Sequence, residues 1–337
     1  MKSFDFTKCY IIAEIGGNFT TYEEAVKLID AAKYAGVDCV KLQTFRADTL
    51  SAKSAMFDME NISNVSQFDY FRKYELSEEI HRKVFDYAAS KGLDCFSTPS
   101  HRTDVDLLAS LGSEAYKIGG DDAVNIPLLR YVAKKGKPVF LSTGMCTLDE
   151  IKESVNAILD EGNNQIVILH TVSGYPTYPK NVNLNVLKTL MQEFPKFPIG
   201  FSDHSLTPIA CIAAATIGAK VLERHFTLDK KAEGPDHMLS STPEEMKYLV
   251  ESVRTIETMM GSPVKEPFGP EIQNRINNRK SIVAISDIEK GEQLSLKNID
   301  IKRPGSGIAP KHFYEVEGKT AKRKILQDEI LNWNDFQ

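Results

Sequence analysis

Residues 198-PIGFSDHS-205 and 221-VLERHFTL-228 are matching stretches, each apolar for several residues and then polar around a histidine, His204 or His225. A continuous apolar run is typical of a strand that is buried on both faces, as in a parallel sheet. The stretch between them, 208-PIACIAAATIGA-219, is a small-residue helix of the length that a parallel crossover requires. We therefore predict two neighbouring parallel strands whose polar ends meet at one site.

That site would contain both imidazoles and the adjacent polar side chains Ser202, Asp203 and Glu223. A single buried histidine is usually a core residue with satisfied hydrogen bonds. A pair at equivalent positions of successive strands, flanked by carboxylates, favours instead a divalent-metal site or a polar catalytic site.

The overall composition is that of an ordinary soluble enzyme. Of the 337 residues, 42% are hydrophobic and 26% are charged, and the net charge of −5 gives no basic excess that would attract nucleic acid. No apolar run approaches the ~20 residues of a membrane span, and the N-terminal stretch lacks the long apolar segment of a signal peptide. The five scattered cysteines form no CxxC pair, which favours a reducing, cytoplasmic location without membrane or nucleic-acid partners.

One unit repeats along the chain: a short apolar run that ends in polar residues, then a helical pattern. Eight such units match the number in a (β/α)8 barrel, and we predict this α/β fold, the TIM barrel, over residues 1–261. The rival doubly wound sheet seldom carries eight consecutive units, and no GxGxxG motif follows a strand. The predicted strands are 9–16, 37–45, 93–100, 115–122, 138–145, 165–173, 198–205 and 221–228. The predicted helices are about 22–35, 78–91, 102–111, 125–135, 148–161, 183–194, 208–219 and 243–260.

The barrel prediction places the active site, because in this fold it lies at the carboxyl ends of the strands. Each predicted strand ends in side chains that can bind a charged or hydroxylated ligand. Ahead of the two histidine strands these are Glu14, Asn18, Lys41, Gln43, Ser97, Thr98, Lys117, Asp122, Ser142, Thr143, His170 and Ser173.

Three further segments stand apart from the repeat. The long connection 46–75 is either a substrate-facing lid or surface decoration. Residues 262–280 form a predicted linker with a short helix, and residues 281–337 form a small β-rich module. A module of that size has a marginal core, so we expect it to dock on another surface.

A series of short motifs runs along the chain in a fixed order. They are AEIGGN (13–18), KLQT (41–44), STP (97–99), YKIG (116–119), LSTGM (141–145), YPT (175–177), FSDH (201–204), ERHFT (223–227), GPD (234–236), RKSIVA (279–284) and KRPGSGI (302–308). In this order they resemble the sialic acid synthases, which condense phosphoenolpyruvate with an N-acetylated amino-sugar. The resemblance spans nearly the whole chain and implies a barrel followed by an antifreeze-like (SAF) domain at 281–337, which swaps onto the partner's barrel in a homodimer.

The resemblance implies that His204 and His225 hold a divalent metal ion. Two imidazoles suit Mn²⁺ better than Mg²⁺, with Co²⁺ as a further alternative. The expected reaction joins phosphoenolpyruvate, water and an N-acetylated hexosamine into a nine-carbon 2-keto sugar acid and phosphate. The acceptor would be N-acetylmannosamine or a 2,4-diacetamido-trideoxy hexose.

The other site residues follow from the same resemblance. Phosphoenolpyruvate needs fixed donors for its phosphate and carboxylate, which are expected to be Lys41, Thr98, Lys117, Gly120, Ser142 and Ser202. Glu14, Asp122 and Glu223 are the catalytic candidates, with Glu14 preferred for proton transfer. Contacts to the sugar are expected from Gln43, Ser173, Tyr175, Asp236 and Arg303. His237 is expected to be exposed.

Several alternatives remain open at this point. A lysine at a strand end could form a Schiff base, although two lysines with several hydroxyls fit anion binding better. Gly120 replaces a serine that many relatives carry, and Asp122 is one methylene shorter than their glutamate. These departures bear on which acceptor sugar is used more than on the type of reaction. The rival functions are another phosphoenolpyruvate-dependent keto-deoxy sugar acid synthase and a non-catalytic carbohydrate-binding protein.

Overall fold

The computed structural model describes residues 4–59, 62–234 and 236–337. Residues 60 and 61 of the predicted loop 46–75, and Pro235 of the GPD motif, lie outside the described residues. The chain divides into two compact units, Met1–Gly261 and Ser262–Gln337.

The secondary structure alternates between strands and helices through the first unit. The strands are β1 (Tyr10–Glu14), β2 (Cys39–Thr44), β3 (Met56–Met59), β4 (Ile62–Ser66), β5 (Asp94–Pro99), β6 (Tyr116–Ile118), β7 (Val139–Ser142), β8 (Ile166–Thr171), β9 (Ile199–Asp203), β10 (Val221–His225), β11 (Ser281–Ala284) and β12 (Ile299–Lys302). The helices are α1 (Tyr22–Ala35), α2 (Ala47–Leu50), α3 (Gln67–Tyr74), α4 (Glu78–Ser90), α5 (Arg102–Ser110), α6 (Ile126–Ala133), α7 (Leu148–Leu159), α8 (Val186–Glu193), α9 (Ile209–Ile217), α10 (Pro243–Met260), α11 (Gly269–Asn278) and α12 (Phe313–Val316).

The predicted (β/α)8 barrel is confirmed. Eight parallel strands close in the order β1-β10-β9-β8-β7-β6-β5-β2, and each is followed by a helix on the outside. Local signals set the helix ends as the sequence indicates. Thr21, Thr147 and Thr242 each begin a helix with a capping box, and Gly36 ends α1 at φ 82°, which only glycine adopts without strain.

Side chains alternate between the barrel interior and the surrounding helices, as period-two strands require. At the amino-terminal end, the interior is filled by an aromatic cluster of Tyr10, Phe96 and Phe140, closed from below by Phe4. Outward-facing residues such as Ile11 and Leu42 pack against the helices in the main core. Because the amino-terminal end is filled with apolar groups, the inward-facing polar residues are confined to the carboxyl end.

The long connection after β2 has structure of its own. It contains α2, the antiparallel hairpin of β3 and β4, and α3. An aromatic cluster holds the segment together: Phe71 contacts Phe45 and Phe57, with ring centroids 5.2 and 5.6 Å apart.

The second unit is small and β-rich, as predicted. Strands β11 and β12 pair antiparallel, and isolated bridges add short β contacts along the rest of the unit. Its apolar core includes Ile282, Leu294, Val316 and Ile325. Helix α11 lies in the predicted linker and buries none of its residues. Within the described part of the chain, none of the helices combines the length and the apolar character needed to cross a membrane.

Candidate active site at the carboxyl end of the barrel

The inward-facing positions at the carboxyl ends of the strands carry polar and charged side chains from around the barrel. All of the following are buried: Glu14, Lys41, Lys117, Ser142, Ser202 and Glu223. The structure thus brings together the residues that the sequence analysis assigned to phosphoenolpyruvate and to catalysis on these strands. Thr171 also belongs here, since its hydroxyl lies 3.1 Å from that of Ser142. Sequence reasoning missed Thr171, although it alternates with the inward-facing Leu169.

Two lysines and two glutamates form one charged network across the barrel. Lys117 Nζ lies 2.6 Å from Glu223 Oε1, and Lys41 Nζ lies 4.0 Å from the same oxygen. Lys41 also pairs with Glu14 and donates to Thr98 Oγ1 at 2.9 Å. Ser202 donates to Glu223 at 2.9 Å, while Glu223 Oε2 is buried without a hydrogen-bond partner. An anionic ligand could compete with these carboxylates for both ammonium groups.

Burial and mutual charge determine the protonation of this network. Burial opposes ionisation of Glu223, but Lys117 and Lys41 outweigh it and lower its pKa to about 2. Burial lowers the pKa of Lys41 to about 7, whereas Glu223 favours the ammonium form. Near neutral pH, Glu223 is therefore a carboxylate and Lys41 can exchange a proton.

The two histidines lie side by side at the mouth of the barrel, with ring centroids 5.4 Å apart. His204 Nδ1 donates to the carbonyl of Val172 at 2.8 Å, which leaves the Nε2 lone pair available. His225 Nδ1 is buried without a hydrogen-bond partner, and the nearest carboxylate oxygen, from Asp236, is 3.5 Å away. Burial lowers the pKa of both imidazoles, so they are neutral at pH 7 as metal ligation requires.

The histidine pair is a small donor set for a metal ion. Among the residues that the structure describes, no group of three or more His, Cys, Asp or Glu side chains could hold a metal ion. His204 and His225 would supply two ligands, fewer than the four of a structural zinc site or the three of a typical catalytic one, so water and substrate oxygens would have to supply the others.

Two of the residues predicted to contact the sugar, Tyr175 and Asp236, lie beside the histidines. The Tyr175 ring lies 4.2 Å from that of His204, centroid to centroid, and is tilted by 30°. Burial raises the pKa of Asp236 to about 7, with Lys41 acting in the opposite direction. Gln43 lies against the turn after β1, because a Cβ on Gly16 would be 2.7 Å from Gln43 Cγ. Ser173 lies against the backbone of Gly144. Arg303 is exposed in the second unit, and its approach to the barrel stays a prediction.

Two neighbouring aspartates after β6 differ in their surroundings. Asp122 accepts a hydrogen bond from Asn125 Nδ2 at 2.8 Å at the start of α6, and burial raises its pKa to about 6. The side chain of the exposed Asp121 lies over Gly119. Its negative charge acts to raise the pKa of both Lys41 and Tyr175. Sequence reasoning chose Asp122 and missed Asp121, because strand periodicity ends before these positions.

Gly120 leaves little room for a side chain. A Cβ there would lie 3.0–3.2 Å from the backbone atoms of Gly144. The serine that the family resemblance implies at this position would therefore need the backbone around Gly144 to shift slightly, whereas glycine allows the close approach.

Several expectations are wrong. Ser97 and His170 alternate with the inward-facing Phe96 and Leu169 and therefore face the helices, where Ser97 Oγ lies 2.6 Å from Thr44 Oγ1 and His170 Nε2 lies 2.8 Å from the Val182 carbonyl.

Asp203 does not line the site: it faces the helices, where it pairs with Arg224 and accepts from the Ser205 backbone at 2.8 Å. The reason is strand alternation, since Ser202 and His204 occupy the inward positions on either side. His237 is not exposed: it is buried, and its Nδ1 lies 2.7 Å from Thr227 Oγ1. The loop after β10 folds back over the end of that strand, and this buries His237.

Comparison with known proteins gives consistent matches along the chain. Residues 28–265 match the NeuB family, and residues 279–337 match the SAF domain. The N,N'-diacetyllegionaminic acid synthase of Legionella pneumophila is 38% identical over 98% of this chain and 95% of its own. The pseudaminic acid synthase of Campylobacter jejuni is 36% identical over 98% and 97%. The crystal structure of the Bacillus subtilis spore coat polysaccharide biosynthesis protein SpsE, 35% identical, covers 98% of this chain and 95% of its own with a TM-score of 0.67.

Proposed function

The chain belongs to the NeuB family, which confirms its resemblance to the sialic acid synthases, and from that premise we propose that it condenses phosphoenolpyruvate with an N-acetylated hexosamine. Water is the third reactant, and the products are a nine-carbon 2-keto sugar acid and phosphate. The observation that carries this proposal is the meeting of Lys41 and Lys117 with His204 and His225 at one end of the barrel. A purely carbohydrate-binding protein would need neither two buried ammonium groups nor a neutral imidazole pair.

Phosphoenolpyruvate fits the half of the site that contains the lysines. Lys41 and Lys117 would bind its phosphate and carboxylate, with hydroxyl donors from Thr98, Ser142 and Ser202 and a backbone donor at Gly120. The ammonium groups already contact carboxylates, so they are positioned for anions before substrate arrives. Phosphoenolpyruvate would displace part of this internal pairing from the two ammonium groups.

The metal-binding half of the site would receive the acceptor. His204 and His225 would hold a divalent ion, with Mn²⁺ favoured over Mg²⁺ or Co²⁺ because both protein ligands are imidazoles. When bound, such an ion supplies Lewis-acid polarisation of the aldehyde of the open-chain sugar. Tyr175, Gln43, Ser173 and Asp236 would orient the sugar beside it.

The bond changes in the proposed reaction balance without a redox partner. C3 of phosphoenolpyruvate attacks the aldehyde carbon, and the aldehyde oxygen takes up a proton to become a hydroxyl. Water adds to C2, which has gained cationic character, and loses a proton. The tetrahedral intermediate then releases phosphate by C–O cleavage, leaving the 2-keto group. Glu14, next to Lys41, is placed to transfer these protons, and Glu223 and Asp122 are the other carboxylates proposed for catalysis.

The acceptor is proposed to be N-acetylmannosamine or a 2,4-diacetamido-trideoxy hexose. The second class is supported by the relatives named for N,N'-diacetyllegionaminic and pseudaminic acids. We also propose a cytoplasmic homodimer in which the SAF domain of one chain covers the barrel of the other. Arg303 of that domain would then complete the partner's substrate site.

The proposal is tested by incubating the enzyme with phosphoenolpyruvate, Mn²⁺ and each acceptor in turn. Phosphate release should require an acceptor and should stop when EDTA is added. Product mass should equal the sum of acceptor, phosphoenolpyruvate and water minus phosphoric acid. Phosphate release without an acceptor, or no reaction with any of these sugars, would contradict the proposed function.

A further inference from the structure

Helix α3, in the long connection after β2, packs against the loop that follows β10. Lys73 Nζ lies 2.9 Å from Glu233 Oε1, and the Tyr74 hydroxyl is 3.8 Å from the position that a Cβ on Gly234 would take. The same loop carries Asp236, whose Oδ2 lies 3.5 Å from His225 Nδ1. The helix therefore contacts the loop that carries Asp236, the carboxylate beside His225.

Tyr70, in the middle of α3, presents a buried hydroxyl with no hydrogen-bond partner among the described residues. Its ring is fixed on several sides, with centroids 4.8 Å from Tyr74, 5.3 Å from Phe57 and 5.8 Å from Phe71. A buried tyrosine normally finds a partner for its hydroxyl, because leaving that group unsatisfied costs free energy. The packing of the ring prevents it from turning the hydroxyl out to solvent.

Besides Tyr70, the buried polar atoms without a hydrogen-bond partner among the described residues are Glu14 Oε2, Asn18 Oδ1, Asp104 Oδ2, Glu223 Oε2 and His225 Nδ1. Glu14 Oε2 is ion-paired with Lys41, which leaves Glu223 Oε2 and His225 Nδ1 as unpaired atoms of the candidate site. Tyr70 resembles these two in burying a polar atom that the protein does not satisfy. The charge of Asp236 also acts on this hydroxyl: burial raises the pKa of Tyr70, and Tyr74 and Asp236 raise it further.

We infer that the Tyr70 hydroxyl hydrogen-bonds a hydroxyl or acetamido group of the acceptor sugar, so that α3 forms one wall of the acceptor pocket. This inference rests on the proposed function, since it concerns the acceptor of that reaction. A phenol hydroxyl both donates and accepts, and it can serve either group of an uncharged sugar. The lysines lie in the other half of the site, so Tyr70 should not affect phosphoenolpyruvate binding.

The test compares Y70F with Y34F, a matched change to an exposed tyrosine of α1. Y70F removes one oxygen and should raise the acceptor KM about tenfold, the effect of one lost hydrogen bond, while leaving the phosphoenolpyruvate KM unchanged. Y34F should change neither KM. The acceptor used is whichever of N-acetylmannosamine and a 2,4-diacetamido-trideoxy hexose gives faster phosphate release with the wild type.

A thermal-melting comparison without ligand separates a binding role from a structural one. Because the hydroxyl has no protein partner, Y70F should melt at the wild-type temperature or above it. An unchanged acceptor KM, or a lower melting temperature in Y70F, would overturn the inference while leaving the proposed reaction in place.

No phosphate release by the wild type would overturn the proposed function, and the sugars themselves then decide the inference. A melting shift caused by either sugar in the wild type and absent in Y70F would support the role of Tyr70. The absence of any such shift in the wild type would overturn it.

Discussion

Lys117 Nζ lies 2.6 Å from Glu223 Oε1 in the barrel interior, joining β6 to β10 across the closed sheet. Both side chains are buried, so neither charge is compensated by water. A second ammonium group, on Lys41, lies 4.0 Å from the same oxygen. Glu223 therefore positions the ammonium groups of Lys41 and Lys117 in the part of the barrel where an anionic substrate would bind.

Replacing Lys117 by alanine should weaken the use of phosphoenolpyruvate more than the use of the acceptor. Loss of a charge-assisted contact should lower kcat/KM for phosphoenolpyruvate about a hundredfold. Initial rates of phosphate release at varied phosphoenolpyruvate measure the effect. Lys134→Ala, on the exposed surface, is the control and should match the wild type. A K117A enzyme with an unchanged phosphoenolpyruvate KM would remove this lysine from the anion site.

His225→Ala should abolish turnover and leave the fold intact. The Nδ1 atom of His225 has no hydrogen-bond partner in the described structure, so truncation breaks no internal hydrogen bond there. Activity should fall below about 1% of the wild type, because one of two proposed imidazole ligands is lost. Manganese content after dialysis and the melting temperature should be measured together. Near-normal activity would refute the metal assignment, and the surface variant His312→Ala is the control.

Strand periodicity explains how far the sequence predicts this site. Lys41, Lys117, Ser202 and Glu223 could be placed because each follows or alternates with apolar residues on a strand of known direction. The alternation could also have shown that Asp203 points outward, since it lies between the inward-facing Ser202 and His204. The prediction for Asp203 was wrong because Ser202, Asp203 and His204 were treated as one polar cluster, although successive strand residues face opposite sides.

Residues beyond the strand ends could not be placed in this way. Asp121 and Asp122 follow β6 in a turn, where backbone torsion rather than periodicity decides which carboxylate faces the site. His237 is enclosed by a loop whose course depends on contacts with Thr227. Tyr70 lies on α3, which contacts a loop far away in sequence, the one that follows β10. Such contacts depend on tertiary structure, which a single sequence does not contain.

Arg224→Met should destabilise the barrel strongly. The buried guanidinium pairs with Asp203 and donates to the carbonyls of Ser205 and Leu239, at 2.6 and 3.2 Å, and so joins the loops after β9 and β10. Its removal leaves Asp203 buried and unpaired, which should cost about 3–5 kcal/mol of unfolding free energy. Urea denaturation measures this loss. Arg130→Met, which breaks a surface ion pair, should cost less than about 1 kcal/mol.

His81 should make stability depend on pH in the acidic range. Its ring bridges Ser77 and Thr44, with Nδ1 2.9 Å from the Ser77 carbonyl and Nε2 2.9 Å from Thr44 Oγ1. Burial lowers its pKa below the usual 6.5, and the Arg46 charge acts in the same direction while the Ser77 carbonyl and Glu78 oppose. The unfolded chain therefore binds the proton first, so this contribution is present above pH 6.5 and is lost as the pH falls.

Comparison of His81→Gln with the wild type isolates that contribution. The unfolding free energy of the wild type should drop more steeply than that of H81Q between pH 7 and pH 5, as followed by urea denaturation at each pH. The control is Lys134→Gln, a change to an exposed side chain of the barrel, which should keep the wild-type slope. Equal slopes in H81Q and wild type would show that His81 is not held neutral by the fold.

Arg303→Ala should raise the acceptor concentration needed for half-maximal rate, because Arg303 is proposed to contact the sugar, whereas the neighbouring Lys302→Ala should not. Lys302 pairs with Asp328 at 2.6 Å, and Arg303 is exposed in the same unit. Whether Arg303 acts on the partner's barrel can be decided by pairing two defective chains. In a purified R303A/H225A heterodimer, a swapped arrangement gives one barrel with both His225 and the partner's Arg303. Activity should then return to about half of the wild-type rate, because one of two sites is complete. If each Arg303 served its own barrel, neither site would be complete, and the heterodimer would show no more activity than R303A alone.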